Sequence, residues 1–325
     1  MSARDCILVT GGAGYVGSHF ARAAHEAGSR VVVLDDLSAG PYPALPRDIA
    51  FVHGDIADRA LVARAIRDHR VTSIAHFAGK ICVGESVEKP ALYFERNLVR
   101  TLALLDTVLA EGPGTVIFSS TAAVYGMPEH VPIVETAPLQ PINPYGASKL
   151  AIEHALAAYG TAHGLRWAAL RYFNAAGAHP DGTLREAHDP ETHLIPLAID
   201  AALGRRGPLA VFGDDYATRD GTCVRDYVHV MDLARAHLAA LAALDRGVAV
   251  GATNLASATG FTVREVIDTA ARVLGRPVPH AIGARRAGDP AVLLASCARA
   301  GEVLGWRAER SDLPTVIEDA ARSRR

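Results

Sequence analysis

One segment limits what this chain can fold into more than any other. The apolar run Cys6-Ile7-Leu8-Val9 reads as a buried strand and passes straight into Thr10-Gly11-Gly12-Ala13-Gly14-Tyr15-Val16-Gly17. From Val16 to Ala27 the pattern is that of an amphipathic helix, ended by Gly28. Gly11 and Gly12 permit a tight turn, Gly14 leaves the backbone open to a pyrophosphate, and Gly17 lets the helix lie close on a sheet. The helix start, with Tyr15 and Val16, offers unpaired N–H groups and the positive end of a dipole. A second strand, Arg30 to Leu34, runs into Asp35-Asp36, 18 residues past Gly17, with Ser38 in the same loop. A carboxylate there accepts bonds from the adenine ribose and repels the extra phosphate of NADP, so NAD is the expected cofactor.

The same rhythm continues. Strands are predicted at Ala50 to Val52, Ser73 to Ala75, Thr115 to Phe118 and Trp167 to Leu170, and helices at Ala57 to Asp68, Pro90 to Leu109 and Tyr145 to Ala162. Strict alternation implies parallel strands joined by right-handed crossovers: an α/β, doubly wound parallel sheet of Rossmann type. Beyond about residue 176 the pattern becomes irregular. Loops at Gly177 to Asp189 and Gly213 to Gly221 alternate with helices at Leu194 to Leu203, Val230 to Leu244, Val263 to Leu274 and Leu313 to Ala321. The expected division is a cofactor domain over 1–176 and a smaller α/β substrate lobe over 177–325, with interleaving left open.

Composition narrows the function classes. Half of the 325 residues are hydrophobic and 21% are charged, which excludes disorder. The formal charge of -2 argues against a sequence-independent grip on nucleic acid or an anionic membrane. Cys6, Cys82, Cys223 and Cys297 have no paired spacing and read as reduced packing residues, and no apolar run reaches a membrane span. A cytoplasmic protein is expected. Of 33 basic residues only Lys80, Lys89 and Lys149 are lysine.

Lys149 stands in Asn143-Pro144-Tyr145-Gly146-Ala147-Ser148-Lys149, four residues after Tyr145 and on the same face of a helix start. A phenol with a pKa of about 10 becomes a base near neutrality only with neighbouring positive charge. Downstream of a dinucleotide loop, this pair makes the chain resemble the short-chain dehydrogenase/reductase superfamily. The strand end Phe118-Ser119-Ser120-Thr121-Ala122-Ala123-Val124-Tyr125-Gly126 narrows the resemblance to its extended nucleotide-sugar epimerase branch, and places the family's sugar-binding hydroxyl on Thr121.

The resemblance covers nearly the whole chain and implies further roles. His76-Phe77-Ala78-Gly79 and Val83-Gly84-Glu85-Ser86 look like the cofactor-lining loop, Asp55-Ile56 like the adenine contact, and Asn97 like the residue beneath the nicotinamide half. Phe173 matches the aromatic beside the nicotinamide, and Asn174 a contact to the sugar nucleotide. Ala210 and Phe212 fall in a segment similar to the uracil-binding strand. Arg225, and Arg285-Arg286-Ala287-Gly288-Asp289, resemble the segments that hold the diphosphate, with Arg286 and Asp289 as the contacts. Three positions depart from the family pattern. Lys80 sits one place before the usual lysine, where Ile81 stands, and is expected to reach the cofactor after a local adjustment. His193 replaces the Asn preceding the Leu-x-Pro that begins at Leu194. Leu293 occupies the position that governs room for an N-acetyl group, and favours unacetylated sugars mildly.

The implied activity is NAD-dependent 4-epimerisation of a UDP-hexose, UDP-glucose and UDP-galactose first, with Tyr145, Lys149 and Thr121 catalytic. Another UDP-sugar is the alternative; a 4,6-dehydratase is disfavoured, since Ala122 and Ala123 stand where its acid and base belong. The implied partners are a UDP-sugar and a second copy of the chain, paired through the helices at 90–109 and 145–162. No metal is expected. In His188-Asp189-Pro190-Glu191-Thr192-His193, Pro190 prevents two His from sharing a helix face, and Asp214, Asp215, Asp220 and Asp226 lack the order of a calcium loop.

Overall fold

The β-branched runs of the first half lie side by side in one sheet. In the computed structural model, which describes residues 6–188, 190–286 and 289–324, the strands are β1 (Cys6–Thr10), β2 (Arg30–Asp35), β3 (Ala50–His53), β4 (Ser73–His76), β5 (Thr115–Thr121), β6 (Arg166–Tyr172), β7 (Asn174–Ala176), β8 (Leu209–Phe212), β9 (Val224–His229), β10 (Gly251–Asn254), β11 (Gly260–Thr262), β12 (His280–Gly283) and β13 (Val292–Leu293). The helices are α1 (Tyr15–Glu26), α2 (Arg59–His69), α3 (Val83–Glu88), α4 (Pro90–Tyr93), α5 (Arg100–Glu111), α6 (Pro144–His163), α7 (Leu194–Ala202), α8 (Val230–Asp245), α9 (Val263–Leu274), α10 (Ala298–Leu304) and α11 (Leu313–Arg322). Asp189, Ala287 and Gly288, named above, lie outside the described residues.

Seven parallel strands form the main sheet in the order β10-β6-β5-β4-β1-β2-β3. All of β1 is buried because both faces of the sheet are covered. Ile7 and Val9 face one core with Phe20 of α1 and Leu233 and Leu241 of α8; Cys6 and Leu8 face another with Val62 and Ile66 of α2, Leu104 of α5 and Ile152 of α6. The order reverses between β1 and β4, which opens a crevice beyond their carboxyl ends.

Three features differ from the sequence reading. The seventh strand is β10, so α8 and β10 return from the second half of the chain to complete the first-half sheet. Its short run, Gly251-Ala252-Thr253-Asn254, carries no strong β-branched signal. The helix expected from Pro90 to Leu109 is interrupted by a π-helical turn at Phe94–Val99, which rotates Asn97 into a buried position. Val83–Glu88, expected as loop, is helical. Beyond the main sheet, β9 pairs with β7, β11 and β13, and β8 pairs with β12 in parallel. Among the described residues no helix is long and apolar enough to cross a membrane.

Candidate active site

The crevice at the sheet reversal is made of backbone. Gly11 has φ +72°, and a Cβ there would sit 2.6 Å from the Cα of Ala78, so only glycine fits against the Phe77-Ala78 turn. A Cβ on Gly17 would come within 3.0 Å of Gly12 Cα and overlap the Gly11 carbonyl oxygen, whereas Gly14 is crowded only by that oxygen at 3.3 Å. Gly14 caps α1 without a side-chain bond, and the first turn carries no acid, so the helix start remains free to receive a pyrophosphate. Val16 packs on the core, and the Tyr15 hydroxyl donates to Gly177 O at 2.7 Å, tying the loop to the second half of the chain.

Asp35 accepts from Ala13 N at 2.9 Å and Leu37 N at 2.8 Å, so it also braces the glycine loop. Burial raises its pKa, and those two bonds oppose the rise. Asp36 accepts from the Ser38 amide and hydroxyl and from Arg96 Nη1 at 3.2 Å. Asp55 accepts from Ala57 N and is ion-paired to Arg100, while the Ile56 side chain is buried in the core, leaving its backbone for a ligand. Arg96 and Arg100 were not read from the sequence; they flank Asn97 one helical turn apart, which was the available signal.

Asn97 pins the crevice wall. Its Oδ1 accepts from Lys80 N at 2.7 Å, and its Nδ2 donates to Lys80 O and to Ser148 Oγ. Gly79 lies against it: a Cβ there would meet Asn97 Oδ1 at 3.0 Å. The Lys80 ammonium, in contrast, turns outward to Glu85 Oε2 at 3.4 Å and is 43% exposed. The fit to a dinucleotide therefore rests on the Lys80 backbone, the glycine cradle and the acids at the end of β2.

Tyr145, Lys149 and Thr121 meet at the end of β5. Asn143 caps α6 by accepting from Gly146 N at 2.8 Å, which sets the first turn and turns Tyr145 toward the strand. Burial raises the Tyr145 pKa above its usual value, and the Thr121 hydroxyl beside it opposes the rise. Lys149 is buried, donates from Nζ to Ser119 O at 2.9 Å and lies 4.7 Å from the Phe118 ring centre. Burial lowers its pKa to about 8, and Glu153, one turn on, acts in the opposite direction. Glu153 is held in a buried ion pair with Arg171 and accepts from Ser120 Oγ, a network the sequence reading missed because its partners come from β5, α6 and β6. Thr121 pairs in register with Tyr172, followed by Phe173, which packs with Ala122 and Leu293, and then by Asn174.

Asn174 opens onto a cleft of about 390 Å³ that also takes His193 just before α7, Leu194 at its start, Ala210 and Phe212 from β8, and Arg225, Arg286 and Asp289. Eight positions assigned from widely separated segments thus share one cavity; Leu293 does not line it and packs, like Phe173, against the cluster around Ala122 and Val124. Glu191, Thr192, Cys223 and Tyr227 line it too and had no individual signal. Arg225 Nη2 donates to Asp289 Oδ1 at 2.5 Å, and the Arg286 guanidinium lies 4.0 Å from the Phe212 ring centre. Two guanidiniums, one of them over an aromatic ring, suit a diphosphate beside a flat base.

His193 is held differently from an amide. Its Nδ1 lies 2.7 Å from Glu186 Oε1 and 2.9 Å from Glu191 Oε1. Burial disfavours the charged ring, but the two carboxylates outweigh it and push the pKa to about 10. Pro190 keeps the two His off a shared helix face, yet Glu186, His188, Glu191 and His193 come together ahead of α7.

Comparison with known proteins gives the same outline. Residues 7–256 match the model of the NAD dependent epimerase/dehydratase family. The chain is similar to the UDP-glucose 4-epimerase of Azospirillum brasilense, 51% identical over 97% of this chain and 90% of that one. It is similar in structure to the UDP-glucose 4-epimerase of Brucella ovis in complex with NAD, at 49% identity and TM-score 0.95 over 98% and 97% of the two chains. The Bifidobacterium longum UDP-glucose 4-epimerase in complex with NAD+ and UDP matches at 37% identity and TM-score 0.92, over 98% of both chains.

Proposed function

The chain belongs to the NAD dependent epimerase/dehydratase family, and from that premise we propose that it is an NAD-dependent UDP-hexose 4-epimerase whose main substrates are UDP-glucose and UDP-galactose. The observation that carries this reading is one continuous path: the glycine crevice, then Tyr145, Thr121 and Lys149, then Asn174 at the mouth of a cleft with two arginines.

NAD held in the crevice supplies a reversible hydride acceptor for sugar C4. Everything else falls to the chain. Tyr145 takes the proton from the sugar 4-hydroxyl and returns it, and Thr121 orients that oxygen. With its pKa raised by burial, Tyr145 is a phenol in the free chain. It becomes a base once further positive charge beside it joins that of the Lys149 ammonium, which keeps donors for a ribose hydroxyl. Ser119 O holds the ammonium in place and Glu153 keeps it charged. Arg225 and Arg286 anchor the diphosphate while the hexose turns between its two faces. Ala122 and Ala123, in a 3-10 turn after Thr121, provide no acid or base for elimination.

We also propose a homodimer formed through the α4–α5 segment and α6. Val99 is 57% exposed and Phe94 39%, more than a surface helix without a partner favours; sedimentation that gives a dimer for the natural chain and a monomer for Val99→Glu supports it. The activity is tested by incubating the purified protein with UDP-galactose and measuring UDP-glucose. Conversion with no added cofactor is expected. An NAD-loaded protein that converts no UDP-hexose contradicts the reading.

A further inference from the structure

Glu186, His188, Glu191 and His193 form a constellation to which the proton and hydride steps assign no role. Glu186 Oε1 faces two imidazoles, His188 Nδ1 at 3.0 Å and His193 Nδ1 at 2.7 Å, and His193 Nδ1 also faces Glu191 Oε1 at 2.9 Å. One atom from each of the four residues lies within 4.8 Å of all the others. Glu186 is buried, with its residue 6% exposed, and the other three are half-buried. A solvated charged loop spreads its groups outward; this one turns two imidazole nitrogens and two carboxylates toward a common point. Bonds of about 2.0–2.2 Å in a tetrahedral zinc site place ligand atoms about 3.3–3.5 Å apart. Three of the six separations, at 3.0, 2.7 and 2.9 Å, need to open by about half an ångström to reach that, and the other three lie within 4.8 Å.

We propose that Glu186, His188, Glu191 and His193 form a structural binding site for one divalent cation of the zinc class. Two neutral imidazoles and two carboxylates balance a double positive charge, and nitrogen with oxygen donors suits zinc better than calcium or magnesium. The positive amino end of α7 adjoins His193 and opposes the cation, which the two carboxylates outweigh at closer range.

The position gives the site a purpose. His188 meets the ring of Tyr15 edge-on, at 6.3 Å between centres, and Tyr15 follows the glycine loop. Glu191 and His193 line the cleft that takes the nucleotide. Glu191 Oε2 is also 3.3 Å from Arg324, which reaches Asp200 of α7. A cation here fixes the spacing between the dinucleotide crevice and the substrate cleft without touching the reacting sugar. The inference does not depend on which UDP-sugar is used.

The test uses the full chain with its bound cofactor. It is treated with a chelator, desalted, loaded with zinc(II) or cobalt(II) and desalted again, and metal per chain is measured by elemental analysis. One equivalent is expected, with the visible absorption of four-coordinate cobalt. His188→Ala, checked for folding by circular dichroism, should bind at least about 100-fold more weakly, a larger loss than removing an outer-shell partner causes. His188→Cys should retain zinc and add a thiolate-to-cobalt absorption band. Retention no greater than that of His188→Ala, or six-coordinate cobalt bands in the natural chain, overturns the proposal. Should His188→Ala not fold, the stoichiometry of the natural chain and the His188→Cys spectrum decide alone.

Discussion

The crevice proposed for NAD and the cleft proposed for the sugar nucleotide are built from different materials. At the crevice the wall is main chain: Gly11, Gly14 and Gly17 matter for the side chain they lack, and Asp35 and Asn97 are spent largely on bracing loop amides. At the cleft the wall is side chain, with Arg225 on Asp289, Arg286 on Phe212, and His193 between Glu186 and Glu191. A site made of backbone tolerates no added atom. A site made of side chains can be retuned one contact at a time, which suits the proposed role of the cleft in holding the sugar nucleotide.

Substitutions should separate the two regions, and the largest effect belongs to neither. Tyr145→Phe should lower kcat about 10³-fold while KM and bound NAD stay near their natural values, as steady-state kinetics and cofactor content will show. Next comes Gly17→Ala, whose new methyl meets the Gly11 carbonyl and Gly12 Cα. Overpacking of about 3 kcal/mol should weaken NAD retention roughly 100-fold. A protein purified with full NAD would break the claim that this wall is sterically fixed.

Asp226 probes the framework of the second region. It is fully buried on β9 beside Arg225, and its Oδ1 accepts from the amide and hydroxyl of Ser257. Burial raises its pKa to about 6, against the Ser257 bonds. The folded value lies above the ordinary carboxylate value, so between the two the folded chain holds a proton that the unfolded chain releases. Stability therefore falls as pH rises through that window, by of order 2 kcal/mol, and stays lower above it. Urea unfolding at pH about 5 and about 7 should show the upper part of this fall, about 1 kcal/mol, in the natural chain and lose most of it in Asp226→Asn. The smallest effect is expected for Arg225→Ala, which should raise the KM for the UDP-sugar roughly tenfold with NAD content intact. Loss of NAD in that variant would mean the two regions are not separable.

The same contrast explains what could be read in advance. A backbone site follows from spacing: three glycines, a strand before and a helix after place the crevice without any long-range information, and the Tyr145–Lys149 spacing does the same for α6. The π-turn at Phe94–Val99 and the return of β10 to the sheet are set by tertiary packing, which local pattern does not carry. Cleft residues such as Arg225 and Asp289, 64 positions apart, were legible only through family resemblance. Tyr227 and Thr192 had no signal. At Lys80, Asn97 secures the backbone while the ammonium pairs with Glu85, a division that residue type alone does not announce.

The central claim is that crevice, tyrosine and cleft act as one site on sugar C4. UDP-galactose carrying deuterium at C4, mixed with the purified protein and no added cofactor, tests it most directly. The account predicts UDP-glucose with the deuterium still at C4, because the hydrogen is removed and returned inside a closed site. Product with solvent hydrogen at C4, or no product from a chain that holds NAD, would contradict it.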